Sequence, residues 1–467
     1  MLETHEIDDY EANFPAKINA SQDNYLKTIL SISEKYLREE FSDAELEEFC
    51  DRIKYIELLE NIEHIIKEFT DQYLEFVKEI YQRSYPYVDK KLTDFIKQKD
   101  KSIKIIWSDS YNALKSMDSE SISLMVTSPP YYNARDYSIW VNLDEYLKDM
   151  RLIIEESYRV LDNHRVFVFN VGDIFDNDNL KTKSVWGKRR LPLGAYFIRI
   201  FEETGFTFVD DFIWDKGEVQ SERHKNGSKP YPFYQYPMNC YEHLLIFHKH
   251  RIDKTRYPCP VCGTLKVNGN TQSDIGIQSW ECKNEKCFIR SKSNRGKRFS
   301  LKTIITQSGH IQNNTIDGSL IKKWRRDIVK FTPVFKINSK GENILGHTAP
   351  FPEDIPEMAI KFFSYPNEIV LDPFAGSFTT AIVARNLSRI GLGIELNKDR
   401  FRDAILKNIY TKLGELYSEI TEFDFEKEVM KESLDGISFF KDQDRQHFSS
   451  KDFGKWGKFL NSFEKLE

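Results

Sequence analysis

Residues 369–395 read IVLDPFAGSFTTAIVARNLSRIGLGIE, and this stretch predicts the fold. An apolar strand ends in Asp372, a turn of small residues follows, and an apolar helix begins at Thr379. A second short strand ends in Glu395. Strand, tight turn, helix and strand in this order form one βαβ unit, which predicts a parallel sheet covered by helices.

The same alternation extends over much of the chain before this unit. Short apolar runs read IKIIW, ISLMVTS, VFVFNVG, FTFVDDFIW and HLLIFH, and amphipathic stretches such as LDEYLKDMRLIIEESYRVL separate some of them. The rhythm stops over residues 251–345, which are rich in Lys, Arg, Asn, Ser and Gly. We therefore predict an α/β domain with a mostly parallel sheet, written in two parts around an insertion.

The predicted organisation has five segments. A helical extension occupies residues 1–100, where apolar residues recur at three- and four-residue steps. The α/β domain occupies residues 101–250 and 346–415, on either side of the insertion at 251–345. Charged residues with scattered Phe and Trp at 416–467 predict peripheral C-terminal helices.

Composition limits the class of protein. The net charge of −6 argues against a passive DNA-coating protein but allows a local basic groove. No apolar run reaches the roughly 18 residues of a membrane span, and the start MLETHEIDDYEANFPAK lacks the blocks of a signal peptide. We expect a cytoplasmic protein without a membrane partner.

The turn at 373–379 predicts a site for an adenosine-containing ligand. Small residues let the backbone approach a ligand, and the helix start offers free N–H groups. Glu395, about 20 residues beyond Asp372, can accept hydrogen bonds from ribose hydroxyls. A carboxylate at Asp372 suits an ammonium group and would repel a pyrophosphate, which favours S-adenosylmethionine (SAM) over a dinucleotide. The remaining predicted cofactor residues of this turn are Phe374, Ala375, Gly376, Ser377 and Thr379.

A double-proline loop follows the apolar run 122–126 and reads Ser128-Pro129-Pro130-Tyr131. Two prolines cannot continue a helix or a central strand, so they fix an extended loop at the carboxyl edge of the sheet. We predict that Ser128 Oγ and the Pro129 carbonyl accept hydrogen bonds from an exocyclic base amine. This grip would favour the pyramidal amine, whose lone pair is free to attack the SAM methyl in line. The Tyr131 ring would stack on a base flipped out of the duplex.

Together the two segments resemble the beta class of SAM-dependent DNA amino-methyltransferases, which make N4-methylcytosine or N6-methyladenine. That class has an (S/D/N)-P-P-(Y/F) motif before the SAM loop, a circularly permuted order that is also the order here. The resemblance covers roughly residues 103–250 and 345–410. It implies the SAM-dependent methyltransferase (Rossmann-like) fold, SAM as cofactor and double-stranded DNA as substrate.

The resemblance also adds site residues. Asp109, in Trp107-Ser108-Asp109-Ser110, matches the acid that contacts the SAM adenine. Phe351 and Pro352 lie in the segment that closes over the methionine end of SAM. One departure is Phe378, which stands where the family usually has Gly. We expect the Phe378 ring to pack under the loop.

Serine before Pro-Pro is most typical of the cytosine-N4 enzymes, and we favour cytosine N4 over adenine N6 on this resemblance. A restriction-modification type of enzyme leaves open a cognate restriction endonuclease that acts on the same site, with no physical contact implied. The oligomeric state stays open, with a homodimer as one alternative. RNA or protein glutamine is an alternative substrate, and a catalytically silent DNA-binding partner subunit is a second alternative function.

Four of the six cysteines form two pairs within the insertion, at Cys259 and Cys262 and at Cys282 and Cys287. Four thiolates at this spacing predict a tetrahedral structural zinc site. Basic residues surround the cluster and predict a phosphate-facing surface: Lys283, Lys286, Arg290, Lys292, Arg295, Lys297, Arg298, Lys322, Lys323, Arg325 and Arg326. We therefore expect a zinc-ribbon-like region that recognises the DNA target.

Overall fold

The computed structural model describes most of the chain from residue 89 onward. The described residues are 44, 75, 78–80, 89–98, 103–132, 140–175, 190–217, 231, 240–250, 258–259, 261–272, 278–287, 298–300, 316–334, 352–414, 419–436, 446, 449 and 451. The chain divides into two compact units, one made of Met1–Lys91 with Asp424–Glu467 and the other of Leu92–Phe423. Most of the helical extension predicted for residues 1–100 lies outside the described residues.

Helices and strands alternate along the described chain. The helices are α1 (Asp89–Lys97), α2 (Ser110–Ser116), α3 (Leu143–Val160), α4 (Leu193–Glu203), α5 (Gly318–Trp324), α6 (Asp354–Phe363), α7 (Thr379–Asn386), α8 (Lys398–Leu413) and α9 (Phe425–Gly436). The strands are β1 (Ile103–Trp107), β2 (Ile122–Thr127), β3 (Leu161–Val171), β4 (Ile174–Phe175), β5 (Arg190–Leu191), β6 (Phe206–Asp215), β7 (Tyr241–Lys249), β8 (Val267–Gln272), β9 (Gln278–Cys282), β10 (Arg298–Ser300), β11 (Ile328–Lys330), β12 (Ile369–Asp372), β13 (Ile390–Glu395) and β14 (Ile420–Asp424). Among these helices, none combines the length and the apolar composition that a membrane crossing needs.

Nine strands form the main sheet, in the order β11-β6-β7-β3-β2-β12-β13-β1-β14. The five neighbours β3, β2, β12, β13 and β1 are parallel, whereas β7 runs antiparallel to both β3 and β6. The predicted α/β fold with a mostly parallel sheet is confirmed. The carboxyl ends of the parallel strands meet at one edge, where ligands bind in open α/β sheets.

The sequence pattern explains why these elements form. Every residue of β1, IKIIW, is buried, as expected for a central parallel strand covered on both faces. Helix α3 turns one apolar stripe inward, and Asn142 caps it by accepting a hydrogen bond from the Glu145 N–H at 2.9 Å. An aromatic cluster packs α4 onto the sheet, and within it the Phe201 and Phe247 rings stack 3.8 Å apart.

Two predicted boundaries were wrong. Residues 316–334 belong to the main α/β domain rather than to the insertion, because β11 pairs with β6 and Trp324 is fully buried beside Val329. Residues 420–424 form strand β14 of the sheet, although we predicted only helices beyond residue 415. Both strands are short and lie at the two ends of the sheet order, so their apolar patterns were weak.

A separate three-stranded sheet, in the order β10-β9-β8, lies within the insertion. Its strands are antiparallel. The small core of this sheet consists of Cys259, Val267, Trp280, Cys282, Cys287 and Phe299. Half of that core is cysteine, so burial of hydrocarbon alone gives it little stability.

Candidate active site and metal centre

The cofactor loop, residues 373–378, and the double-proline loop, residues 128–131, leave neighbouring parallel strands at the same edge of the sheet. Strand β12 pairs with β2 through Val370 with Leu124 and Leu371 with Met125. Beyond these pairs, at the ends of the two strands, the Thr127 hydroxyl donates to Asp372 Oδ1 at 2.6 Å. The two loops therefore start side by side at the carboxyl edge of the sheet, the edge at which the sequence predicted the double-proline loop.

Asp372 does not present its carboxylate to a ligand. The side chain is fully buried, and its oxygens accept hydrogen bonds from the Thr127 hydroxyl, the Thr380 hydroxyl and the Phe374 N–H. Burial raises the pKa of Asp372 to about 6, although these three donors oppose the rise. The direct contact with an ammonium group that we expected of Asp372 does not fit this geometry.

Phe378 occupies the position where the related family usually has Gly. Its φ of 61° lies in the left-handed region, which explains the usual Gly. The ring is fully buried and packs over Gly393 of β13, where a Cβ atom would lie 2.5 Å from Phe378 Cε1. The expectation that Phe378 packs under the loop is confirmed.

Two acids flank the cofactor loop on the side of β1 and β13. Glu395 is half-buried, and its Oε2 accepts a hydrogen bond from the Gly376 N–H at 3.1 Å. Burial raises the pKa of Glu395. Asp109 follows β1, is half-buried, and caps α2 by accepting from the Asn112 N–H at 3.1 Å. Since Trp107 pairs with Glu395, the sheet brings these two acids to one edge.

The remaining predicted cofactor residues are placed as follows. Ala375, Gly376 and Ser377 are buried in the loop, and the Ser377 and Thr379 hydroxyls lie 2.9 Å apart at the start of α7. Pro352 is buried just before α6. Phe351 lies outside the described residues.

The double-proline loop is held by a chain of polar contacts. The Ser128 hydroxyl donates to the Tyr131 hydroxyl at 3.5 Å, and Tyr131 donates to Glu242 Oε2 at 3.0 Å. Lys216 pairs with the other oxygen of Glu242 at 2.7 Å. Burial and the charge of Glu242 raise the pKa of Tyr131 well above its ordinary value of 10. The Tyr131 hydroxyl therefore stays protonated at neutral pH.

Sequence reasoning missed Glu242, Lys216 and Tyr146. Tyr146 of α3 donates its hydroxyl to the Pro130 carbonyl at 2.9 Å and packs against the Tyr132 ring at 5.6 Å. Tyr146 is fully buried, and a Tyr at a buried helix position was the one signal that a polar partner was needed. Glu242 and Lys216 lie at or near strand ends, where no local motif marks them.

A second polar cluster lies on the opposite face of β7. The ring of His243 contacts Asp211 at 2.7 Å through Nδ1 and Asp173 at 3.8 Å through Nε2. The Gly194 N–H at the start of α4 donates to Asp173 at 3.3 Å. Burial alone would lower the pKa of His243, but the nearby carboxylates of Asp173 and Asp211 outweigh it and raise the pKa to about 9. His243 is thus protonated at neutral pH and links β6, β7 and α4.

The four cysteines of the insertion converge. All four sulfur atoms lie within 4.8 Å of one another, with Cys262 and Cys282 3.7 Å apart and Cys259 and Cys287 4.0 Å apart. Tetrahedral zinc with Zn–S bonds of about 2.3 Å places its sulfur ligands about 3.8 Å apart. Gly263, with φ of 65°, makes the turn after the first pair. The donor set and its spacing fit a structural zinc ion.

The predicted basic surface divides between two regions. Lys283 and Lys286 are exposed beside the cysteines. Lys322, Lys323, Arg325 and Arg326 are exposed on α5 and just after it, in the part of the chain that joins the main sheet. Arg290, Lys292, Arg295 and Lys297 lie outside the described residues, and the Arg298 side chain is not described.

Comparison with known families gives one match that spans most of the sheet. The N6/N4 methyltransferase family model, described as a DNA methylase, matches residues 122–407. This range includes the double-proline loop, the cysteine cluster and the cofactor loop.

Individual relatives agree with this match. The chain is 42% identical over 353 residues to the Type II beta methyltransferase M.BslI of Bacillus sp. (strain NEB-606), a similarity that covers 74% of this chain and 32% of that protein. It is 25% identical over 301 residues to the Type II methyltransferase M.BglII of Bacillus subtilis, covering 63% and 66%. The chain thus spans about a third of the first relative and about two thirds of the second.

Among solved structures, the Thermus thermophilus protein TTHA0409 in complex with S-adenosyl-L-methionine is similar to this chain. The sequence identity is 19% and the TM-score is 0.44. The similar region covers 69% of this chain and 100% of that protein.

Proposed function

The chain belongs to the N6/N4 family of DNA methylases, and on this premise we propose that it transfers a methyl group from SAM to cytosine N4 in duplex DNA. One observation carries the proposal. The 128–131 loop and the 373–378 loop leave adjacent strands and are joined by the hydrogen bond between Thr127 and Asp372. An amine held by one loop would therefore face a methyl donor held by the other.

The residues around the cofactor loop fit SAM. Buried small residues at 375–377 allow close approach of the backbone, and the start of α7 offers N–H donors. Glu395 would bind the ribose hydroxyls, and Asp109 would contact the adenine. Phe374, Ser377 and Thr379 would line the loop, and Phe351 and Pro352 would close over the methionine end. When bound, SAM supplies the methyl group on a sulfonium that leaves as a neutral thioether.

The double-proline loop would hold the target base. If the Ser128 hydroxyl donates to the Tyr131 hydroxyl, which lies 3.5 Å away, its Oγ lone pairs are left to accept from the base amine together with the Pro129 carbonyl. Pro130 keeps the loop extended. The flipped base would stack on the Tyr131 ring, whose orientation Glu242 and Lys216 fix. The reaction is then a direct in-line displacement without a covalent bond between enzyme and base.

The choice of base rests on Ser128, since serine before Pro-Pro is typical of cytosine-N4 enzymes in the family this chain resembles. Incubation with duplex DNA and labelled SAM, followed by nucleoside analysis, tests it. We expect N4-methylcytosine from the wild type and a rate loss of at least about 100-fold in S128A. Label found only in N6-methyladenine would replace the base assignment with the second candidate, adenine N6.

A Type II system would pair this enzyme with a restriction endonuclease of the same site. Its relatives are Type II methyltransferases, and methylation would protect that site from cleavage. The alternative function is a silent DNA-binding subunit. Calorimetry with SAM separates the two, because a silent subunit has no need of SAM. DNA binding without SAM binding and without methyl transfer to any duplex would favour the subunit.

The three-stranded sheet β10-β9-β8 of the insertion would recognise DNA. A structural zinc ion held by Cys259, Cys262, Cys282 and Cys287 would stabilise it. Supporting this, the sulfur spacing matches tetrahedral zinc, and exposed basic residues lie beside the cluster. C259S should release the metal and weaken DNA binding more than SAM binding. The isolated Cys240, which is outside the cluster, provides the matched control C240S. Metal analysis that finds no zinc in the wild-type protein would end the proposal.

A further inference from the structure

Thr127, Asp372 and Thr380 form a buried contact, here called the carboxylate clasp, that the reaction described above leaves unused. All three side chains are fully buried. Asp372 Oδ1 accepts from the Thr127 hydroxyl at 2.6 Å and from the Phe374 N–H at 3.1 Å. Asp372 Oδ2 accepts from the Thr380 hydroxyl at 2.7 Å. One carboxylate thus binds three donors.

The clasp joins the two halves of the site. Thr127 directly precedes Ser128, whereas Phe374 and Thr380 belong to the cofactor loop and the first turn of α7. Backbone pairing of β2 with β12 reaches Met125 and Leu371, and the clasp adds a side-chain bond beyond it, toward the loops. The position of one loop relative to the other therefore depends on the bond between Thr127 and Asp372.

We propose that Thr127 and Asp372 are positioning residues, which set the distance between the base amine and the methyl donor. The inference rests on the proposed function. Reacting atoms need to be held about 3–3.5 Å apart, and a displacement of about 1 Å lowers a rate by about 100-fold. Loosening the clasp on the Thr127 side should therefore slow methyl transfer and leave SAM binding nearly intact.

The chain offers a matched pair of variants. T127V and T380V each remove one hydroxyl that donates to the Asp372 carboxylate, and each keeps the shape of the side chain. T127V separates the two loops, so we expect an about 10- to 100-fold lower single-turnover rate at saturating SAM, with SAM affinity within about threefold of wild type. T380V loosens the cofactor segment itself and should weaken SAM binding more than it slows transfer. T127S, which restores a hydroxyl, should recover most of the lost rate.

The pH profile gives a second readout. Burial raises the pKa of Asp372 to about 6, and the acidic limb of the wild-type rate should lie near that value. T127V removes a donor that stabilises the ionised carboxylate, so its acidic limb should move to higher pH. If T127V does not fold, D372N provides the test: it should lower the rate and remove the acidic limb.

The results distinguish failure of the proposed function from failure of the positioning role alone. A wild-type protein that methylates no DNA would overturn the proposed function and this inference together. An active wild type with unchanged transfer in T127V would overturn the inference alone. Equal losses of rate and SAM affinity in T127V and T380V would also overturn it, because a purely structural contact predicts that pattern.

Discussion

The pH dependence of stability should reveal the buried charge of His243. The ring lies between Asp211 and Asp173 and is 17% exposed. Arg190 adds a positive charge near Asp173, and the Tyr241 ring meets the imidazole edge-on at 5.3 Å. H243Q keeps a polar side chain but removes the titrating charge. We predict that this variant loses stability mainly at acidic and neutral pH.

The magnitude follows from the two pKa values. The pKa of His243 is near 6.5 in the unfolded chain and about 9 in the folded protein. This difference in pKa corresponds to about 3 kcal/mol of the free energy of unfolding. Because the folded pKa is the higher one, this stabilisation is complete below pH 6.5. It falls as the pH rises from 6.5 through about 9. For the compact unit Leu92–Phe423, losing this stabilisation should lower the midpoint of thermal unfolding by a few degrees.

Thermal midpoints of wild type and H243Q, measured from about pH 6 to about pH 9.5, provide the assay. The gap between the two proteins should be largest at the acidic end and should shrink toward the alkaline end. H248Q on the same strand is the control, since burial lowers the pKa of His248. Its stabilising effect is present above pH 6.5 and is lost as the pH falls. A wild-type minus H243Q gap that stays constant over the whole range would refute the reasoning.

Three further predictions concern the proposed site. E242Q weakens the acceptor of the Tyr131 hydroxyl, so single-turnover methyl transfer should fall about 10-fold with SAM affinity unchanged; a parallel loss of SAM affinity, measured by calorimetry, would contradict this. Y146F removes the bond to the Pro130 carbonyl, worth about 1 kcal/mol, and should slow transfer by less than about 10-fold; a larger loss would mean that Tyr146 does more than hold the loop. A strong zinc chelator should reduce DNA affinity in a gel-shift assay and spare SAM binding, and re-added zinc should restore it; unchanged DNA affinity after complete metal loss would contradict a structural zinc.

The sequence could predict the central sheet and the pairing of the two loops. Parallel central strands are buried on both faces, so short apolar runs such as IKIIW and IVLD predict them directly. Their carboxyl ends share one edge, which placed Ser128 beside the cofactor loop. The convergence of four cysteines also followed from spacing alone.

The rest depended on contacts between distant positions. A local motif cannot show whether the Asp372 carboxylate faces a ligand or accepts hydrogen bonds from the protein itself. Its partner Thr127 lies 245 positions away in the sequence. Glu242 becomes a neighbour of Tyr131, and Lys216 a neighbour of Glu242, only when β6 and β7 join the sheet. The β11 strand has only three residues and exposes half of Ile328, so its apolar signal was too weak to end the insertion correctly.

The fit of Phe378 over Gly393 constrains how this family can diverge. The ring fills the volume that a side chain on β13 would need, so the two positions cannot enlarge independently. A Cβ atom at position 393 would also lie 2.6 Å from the Ala375 Cβ, so Ala there needs a smaller residue at both position 375 and position 378. Across an alignment, a side chain at position 393 should therefore occur only where positions 375 and 378 are both small.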